Sequence, residues 1–365
     1  MQPNKIVFTG GGTAGHVTPN LALIDSLPDA FEVAYIGSNN GVERRIIAEK
    51  AINYYAVRSG KLRRYFSFKN LIDPLNLLIG IMQSVLILRK LKPKLVFSKG
   101  GFVALPVVIG AWLNRIPVIA HESDLTPGLA NRLSFPFVTQ ICVTFDAGKA
   151  YFKNQTKVHV TGTPIRPELL QGDRATGLAQ CGFDGTKPCL LVMGGSQGAD
   201  ILNRCVRAAL DALCVHFHVI HLCGRNKLAP ALNQNSDYYQ LEYAADNLPD
   251  LFAASDIVLS RAGANALYEI LALAKPHVLV PLSARYSRGD QIDNARYFEK
   301  KGVSVVLDDN NSLTAESVHA ALDAVYKNRH AIIDKIKALK IQSATPILID
   351  LITSTSSNTL AAIKN

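Results

Sequence analysis

The sequence predicts an α/β chain of two doubly wound, Rossmann-like domains in tandem. Three observations predict it. Runs rich in Val and Ile alternate with helix-like segments along all 365 residues. The glycine turn after the first run recurs at the start of a second series of runs. A stretch rich in Gly, Pro and polar residues, "TGTPIRPELLQGDRATG" (161–177), separates the two series.

The first series reads "KIVF", "FEVAYIG", "KLVFSKG", "PVIAHES", "QICVTF" and "KVHVTG". The second reads "PCLLVMGG", "FHVIHLCG", "DIVLSRAG", "PHVLVPL" and "GVSVVL". These are expected as buried parallel strands. The boundaries predicted are 1–162 for the first domain and 163–342 for the second. A helix over about 343–365, beginning around Thr345–Leu351, can pack on either domain, including back on the first. The Ser/Thr/Asn-rich "STSSNT" near the end is expected to fray.

Composition limits the function classes. Hydrophobic residues make up 48% of the chain, enough for sizeable cores and against global disorder. Met1–Lys5 lead straight into a strand, without a signal-peptide pattern. The six cysteines form no C-x-x-C pair and lie in apolar runs, which predicts buried free thiols in a reducing compartment. A formal net charge of +10 suits an anionic partner: nucleic acid, anionic membrane or phosphorylated substrate. The basic residues are not interleaved with aromatics as on a single-strand nucleic-acid platform.

"GGGTAGH" follows the first strand, and Gly10, Gly12 and Gly15 match G-x-G-x-x-G spacing. A dinucleotide site also places an acid at the end of the second strand. Gly37 and Ser38 stand there instead, so the NAD reading loses its specific half. A phosphate cradle remains, because glycines let backbone approach a ligand and the following helix directs N–H groups at an anion. Tight strand–helix packing without a ligand is the competing explanation. Two further glycine loops weigh against it, "SKGGFVA" (98–104) and "GGSQGA" (194–199). Gly11, Gly12, Thr13 and Gly15 align with Gly194, Gly195, Ser196 and Gly198.

His16 follows the first loop near a helix start, where the helix's positive end favours a neutral ring able to act as a base. A packed or capping histidine is the alternative. In "SRAGANALYEILAL" (260–273), Glu269 can accept two hydrogen bonds from a ribose diol, or lie on a solvated face. "SARYSRGDQIDNA" (283–295) offers Arg288, Asp290, Gln291 and Asn294, types that suit sugar hydroxyls. His216 and His218 in "HFHVIH" are expected to share a strand face without further metal ligands. No D-x-D follows a strand, so no carboxylate pair for a metal is indicated.

Residues 75–88, "LNLLIGIMQSVLIL", are apolar at ten of fourteen positions. As a helix they would span ~21 Å, short of a ~30 Å hydrocarbon core. Lys61, Arg63, Arg64 and Lys69 precede them, and Arg89, Lys90, Lys92 and Lys94 follow. The segment reads either as a buried crossover helix or as a membrane-docking patch of Leu75, Leu77, Leu78, Ile79, Ile81 and Met82.

Seven blocks, in order along essentially the whole chain, resemble the MurG glycosyltransferase family: "GGGTAGHVTP", "SKGGFVALP", "HESDLTPGLANR", "TGTPIRPEL", "GGSQGA", "SRAGANALYE" and "GDQIDNA". The resemblance implies a GT-B fold with the active site in the interdomain cleft. It implies inverting transfer of GlcNAc from UDP-GlcNAc to the 4-hydroxyl of MurNAc in lipid I, giving lipid II for peptidoglycan. Arg166 and Ser196 are then expected at the donor phosphates, Glu269 at the ribose and backbone near Ala245 at the uracil. Ala264, Asp124 and Gln291 would surround the GlcNAc. Thr13, Gly15, His16 and the loops at Gly11, Gly12, Gly100 and Gly101 would serve the acceptor and its diphosphate.

Where the family has HEQN this chain has "HESD", and where paired glutamines often stand it has Asp290 and Gln291. Ionised Asp124 accepts but cannot donate, which makes it a rival to His16 as catalytic base. With no D-x-D after a strand, activity is expected without a cofactor or an obligatory protein-bound metal, and the resemblance implies a peripheral place on the cytoplasmic face of the inner membrane. Partners would be anionic lipids and other cell-wall synthesis or division proteins, with no nucleic acid. Another UDP-sugar GT-B enzyme, a UDP-GlcNAc epimerase, a sugar-nucleotide sensor and a basic nucleic-acid module are the readings it competes with.

Overall fold

The computed structural model describes residues 4–60, 69–195, 198–309 and 313–364, without the side chains of 69–72 and 358–364. Lys61, Arg63, Arg64 and Ser196 lie outside the described residues, as does the Lys69 side chain. The chain divides into two units. Unit 1 runs to Pro164 and resumes at Ser343; unit 2 is Ile165–Gln342.

Unit 1 holds seven strands: β1 (Asn4–Thr9), β2 (Phe31–Ser38), β3 (Asn53–Val57), β4 (Leu95–Ser98), β5 (Val118–Glu122), β6 (Gln140–Val143) and β7 (Val158–Val160). All pair in parallel, in the order β3-β2-β1-β4-β5-β6-β7. Unit 2 holds β8 (Cys189–Met193), β9 (His218–Leu222), β10 (Tyr238–Leu241), β11 (Ile257–Ser260), β12 (His277–Leu279) and β13 (Val305–Val306). Their order is β10-β9-β8-β11-β12-β13, again parallel. The order reverses between β1 and β4 and between β8 and β11. Ligands of such sheets bind at that reversal, beyond the carboxyl ends of the strands.

Strand alternation explains the continuous apolar runs. Val7 packs into one core while Ile6 and Phe8 pack into the other, so both faces of the sheet are covered. Leu190 and Val192 likewise part from Leu191 and Met193 in unit 2. All six cysteines are free and buried.

The chain returns to unit 1 where the Ala344 N–H donates to Thr163 O at 3.1 Å. Helix Thr345–Lys364 then buries Leu348 and Ile352 beside Ile6 and Phe8. "STSSNT" does not fray in this structure; it lies within that helix. Its hydroxyls bond back along the helix, Ser356 Oγ to Ile352 O at 2.7 Å and Ser357 Oγ to Thr353 O at 2.9 Å. His216 and His218 do not share a strand face, because His216 ends helix Leu210–His216 and His218 opens β9.

Candidate active site

In unit 2 the chain leaves β8 through Gly194 and Gly195 and enters helix Asp200–Ala208. It leaves β11 at Ser260 and enters helix Ala264–Ala272 with Gly263 at the N-cap. Between these turns opens a cavity of about 330 Å³ lined by Gly194, Gly195, Gly198, Ser260, Gly263 and Gln291 among others. Gly195 has φ +84°, and a Cβ there would meet nothing within 4 Å. Its absent side chain therefore faces open space. Gly198 serves packing instead, since a Cβ would lie 2.0 Å from Cys223 O. Ala199, Asp200 and Gly263 on the lining place two helix N-termini at the cavity. Unsatisfied N–H groups at such ends attract anions.

Ala264 is buried at the first position of its helix. Gln291 is held over the cavity by Oε1, which accepts the Leu282 N–H at 3.0 Å. Asp290 beside it pairs with Arg288 at 3.5 Å. Arg166 and Glu269 meet one another, Nε donating to Oε1 at 3.1 Å, and lie outside the cavity lining. Burial pushes the Glu269 carboxyl up, and Arg166 pulls it back down. Ala245 is exposed after β10, and its carbonyl accepts the Leu248 N–H at 3.3 Å.

Sequence reasoning missed Arg261, which lines the cavity. Its Nη1 donates to Asp309 Oδ2 at 2.7 Å and Val280 O at 3.0 Å, clamping the ends of β11 and β12. The "SRAG" block contains this arginine, but a partner 48 residues away is invisible in a linear pattern.

In unit 1, three adjacent strands bring candidate residues to one edge: Gly10–His16 after β1, Lys99–Gly101 after β4, and Asp124 after β5. Gly100 and Gly101 are left-handed, at φ +94° and +85°. A Cβ on Gly101 would stand 2.2 Å from Gly11 O, so the two loops touch through backbone. The Gly11 N–H donates to Gly100 O at 3.3 Å, and the Gly12 N–H to Glu43 Oε2 at 3.1 Å. The amides of Gly11 and Gly12 thus serve protein acceptors.

His16 closes a 3₁₀ turn, Ala14–His16, ahead of helix Thr18–Ile24. Its Nδ1 lies 2.9 Å from Gly11 O and 3.2 Å from Thr13 Oγ1. A carbonyl can only accept, so Nδ1 carries the proton and Nε2 the basic lone pair. Gly15 sits exposed on the same turn.

Lys99, from the "SKGG" block, points inward. Its Nζ donates to His121 Nδ1 at 2.6 Å, and His121 Nε2–H donates to Gly162 O at 2.8 Å. Burial lowers the Lys99 ammonium from the ordinary 10.5 to about 7. Burial and the Lys99 charge hold His121 well below 6.5. Glu122 accepts from Asp124 N–H at 3.0 Å, Gly128 N–H at 3.0 Å and Asn131 Nδ2 at 2.8 Å. Lys99, His121 and Glu122 therefore brace the loops, and Asp124 is the half-buried carboxylate above them.

The apolar segment lies in helix Lys69–Leu91. At 23 residues it is ~34 Å long, so the expectation that it is too short to cross a bilayer fails on length. Its packing decides instead. It is the crossover from β3 to β4, burying Asp73, Gly80, Ser84 and Leu88 along one face. Opposite lie Leu75, Leu78, Met82 and Leu86, each between 57% and 62% exposed. Leu77, Ile79 and Ile81 are half-buried, so the exposed stripe excludes them and gains Leu86. Arg89, Lys90 and Lys92 are exposed at its end. Trp112 and Leu113, on the helix packed beside it, are about half exposed.

Residues 6–143 match the glycosyltransferase family 28 N-terminal domain, and residues 189–349 its C-terminal domain. A protein of Legionella pneumophila (strain Lens) is 60% identical over 353 residues, covering 96% of this chain and 97% of its own length. A protein of Clostridium kluyveri is 50% identical over 349 residues, covering 95% and 98%. Both are named UDP-N-acetylglucosamine–N-acetylmuramyl-(pentapeptide) pyrophosphoryl-undecaprenol N-acetylglucosamine transferase. The crystal structure of Acinetobacter baumannii MurG shares the fold at TM-score 0.74 and 24% identity, covering 96% of this chain and all of its own. UDP-GlcNAc 2-epimerase from Neisseria meningitidis, solved with UDP-GlcNAc, does so at 0.62 and 14% identity, covering 96% and 99%.

Proposed function

The chain belongs to glycosyltransferase family 28 and to the UDP-N-acetylglucosamine–N-acetylmuramyl-(pentapeptide) pyrophosphoryl-undecaprenol N-acetylglucosamine transferases within it, and from that premise we propose how its residues divide the work. It is a GlcNAc transferase of peptidoglycan synthesis, moving the sugar from UDP-GlcNAc to lipid I to give lipid II. Unit 2 takes the donor. The single observation that carries this is the cavity at the β8/β11 reversal, with an open left-handed glycine and two helix N-termini on its lining. Those N-termini hold the diphosphate. Ser196 and Arg166 add to them, and Gln291 and the Ala264 backbone flank the GlcNAc. Glu269 leaves part of its Arg166 contact to accept the ribose diol, and backbone near Ala245 faces the uracil.

Unit 1 takes the acceptor. Thr13 and Gly15, with the Gly100–Gly101 loop, address its diphosphate. His16 Nε2 removes the proton from the MurNAc 4-hydroxyl as that oxygen attacks the anomeric carbon and UDP departs. Asp124 is the competing base. The helix N-termini and Arg166 neutralise the departing diphosphate, so the reaction needs no obligatory protein-bound metal. EDTA-treated, metal-free enzyme therefore retains activity, and complete inactivity reversed by a divalent ion contradicts this.

The exposed stripe Leu75–Leu78–Met82–Leu86 and its basic flank dock the enzyme on the cytoplasmic face of the membrane. Each basic residue near anionic lipid contributes roughly 1 kcal/mol. The function is tested with labelled UDP-GlcNAc and a short-chain lipid I analogue. A labelled disaccharide on the analogue is expected. Free GlcNAc, epimerised nucleotide or unchanged donor contradicts the assignment.

A further inference from the structure

Beneath the first glycine turn lies a charge that the reaction does not use. Glu43, the second residue of helix Val42–Ala48, is fully buried. Its Oε2 accepts the Gly12 N–H at 3.1 Å. Its Oε1 accepts the Ser38 N–H at 3.0 Å and the Ser38 hydroxyl. Three donors thus converge on one carboxylate.

The surroundings are shaped around it. A Cβ on Gly11 would stand 2.5 Å from Glu43 Cδ, one on Gly41 2.0 Å from Oε1, and one on Gly37 2.9 Å from Cγ. Glycines from the β1 turn, from β2 and from the following helix start all make room for one side chain. Tyr54 closes the pocket by donating its hydroxyl to Ser38 O at 2.6 Å, and Tyr35 donates to Gly10 O at 2.7 Å.

In a dinucleotide fold the acid at the end of the second strand faces outward to a ribose. In unit 1 Gly37 and Ser38 hold that place. The acid comes five residues after Ser38 and is aimed back at the glycine turn. A built-in anion therefore occupies the amide that a nucleotide fold would offer to phosphate. The matching turn of unit 2 differs. Gly195 has φ +84°, close to +87° at Gly12, and a Cβ at either would meet nothing within 4 Å, but Gly195 lines the cavity, where the one acid on the lining, Asp200, is paired with Lys227 at 2.9 Å. Two turns of the same design thus differ beneath the backbone: the Gly12 amide already serves a buried carboxylate, and the one acid lining the Gly195 cavity is paired with a lysine instead.

We propose that Glu43 is a positioning residue that commits unit 1 to the lipid-linked acceptor. Its carboxylate pins Gly12 and Ser38 from beneath, and so sets the turn that carries Thr13 and His16. This rests on the acceptor reading above. Glu43 touches no reacting atom.

The test is Glu43→Gln in the full chain. One acceptor oxygen becomes an NH₂ group facing backbone donors, so the turn must move. The KM for a short-chain lipid I analogue rises at least about tenfold, while the KM for UDP-GlcNAc stays within about twofold. A merely structural role would move both together. Ser38→Ala removes one hydroxyl donor and leaves the carboxylate; it raises the acceptor KM about threefold with the donor KM unchanged, and it decides the matter if Glu43→Gln does not fold. Equal rises in both KM values, or an unchanged acceptor KM, overturn the proposal. Wild-type enzyme that forms no disaccharide overturns the acceptor reading instead.

Discussion

His16 shows how much a single residue gains from its neighbours. The sequence places a histidine after a glycine loop, which fits a base and also a packed ring. The Gly11 carbonyl at 2.9 Å fixes the proton on Nδ1 and leaves Nε2 as the basic nitrogen. General-base removal typically costs ~10²–10⁴ in rate. His16→Ala is therefore expected to lower kcat by at least about 10²-fold with the KM for UDP-GlcNAc little changed, whereas Asp124→Asn costs less than about tenfold. The reverse ranking would transfer the role to Asp124. Lys99 and His121 supply a second expectation. The first falls from 10.5 to about 7 and the second well below 6.5, so the unfolded chain binds more protons than the folded one. Their stabilisation is complete above the ordinary lysine pKa. It falls as pH drops from there to about 7, and falls again below the ordinary histidine pKa of about 6.5. Lys99→Met removes the first of these. Urea midpoints between about pH 7.5 and 9.5 should show wild type gaining on the variant by up to about 1.4 kcal/mol per pH unit. Parallel curves contradict it. The blocks containing Lys99, His121 and Glu122 were legible in the sequence. Their inward aim was not, because it depends on Gly162 and Asn131, which arrive from later elements.

Helix Lys69–Leu91 carries the expectation at the next scale. Its composition is apolar all round, so linear periodicity does not separate the face that packs from the face that is bare. Packing does, because Gly80 and Gly110 mark where neighbouring backbone approaches: a Cβ on Gly80 would lie 2.0 Å from Arg58 O, and one on Gly110 2.8 Å from Ser84 Cβ. Replacing Leu78, Met82 and Leu86 by Ser is expected to reduce binding to vesicles containing anionic lipid more than tenfold, taking roughly 1.5 kcal/mol of apolar burial per side chain. Turnover of a soluble short-chain acceptor should persist. Unchanged vesicle binding rejects the stripe as the docking surface. Other elements were illegible for related reasons. β3 and β10 are edge strands, half-covered and built around Tyr54, Tyr55, Tyr238 and Tyr239, so neither gives the continuous apolar run of a central strand. The final helix was legible at its start, but its continuation through "STSSNT" was not, because the serine and threonine hydroxyls bond to its own carbonyls.

Across the whole molecule the repeat was the most legible feature. Two glycine turns aligned by sequence adopt matching left-handed backbones, at Gly12 and at Gly195, and each stands at the strand-order reversal of its own sheet. Strand order itself was not legible, since no local pattern says which neighbour a buried parallel strand takes. Nor was the difference between the turns, which lies in Glu43, a carboxylate outside every block that carries the family resemblance. Hydrogen exchange of the full chain, with and without UDP-GlcNAc, tests this division of labour most directly. Protection is expected in the turns around 193–200 and 260–266, with the turn at 10–16 unaffected by donor alone. Protection at 10–16 with none at 193–200 would contradict it.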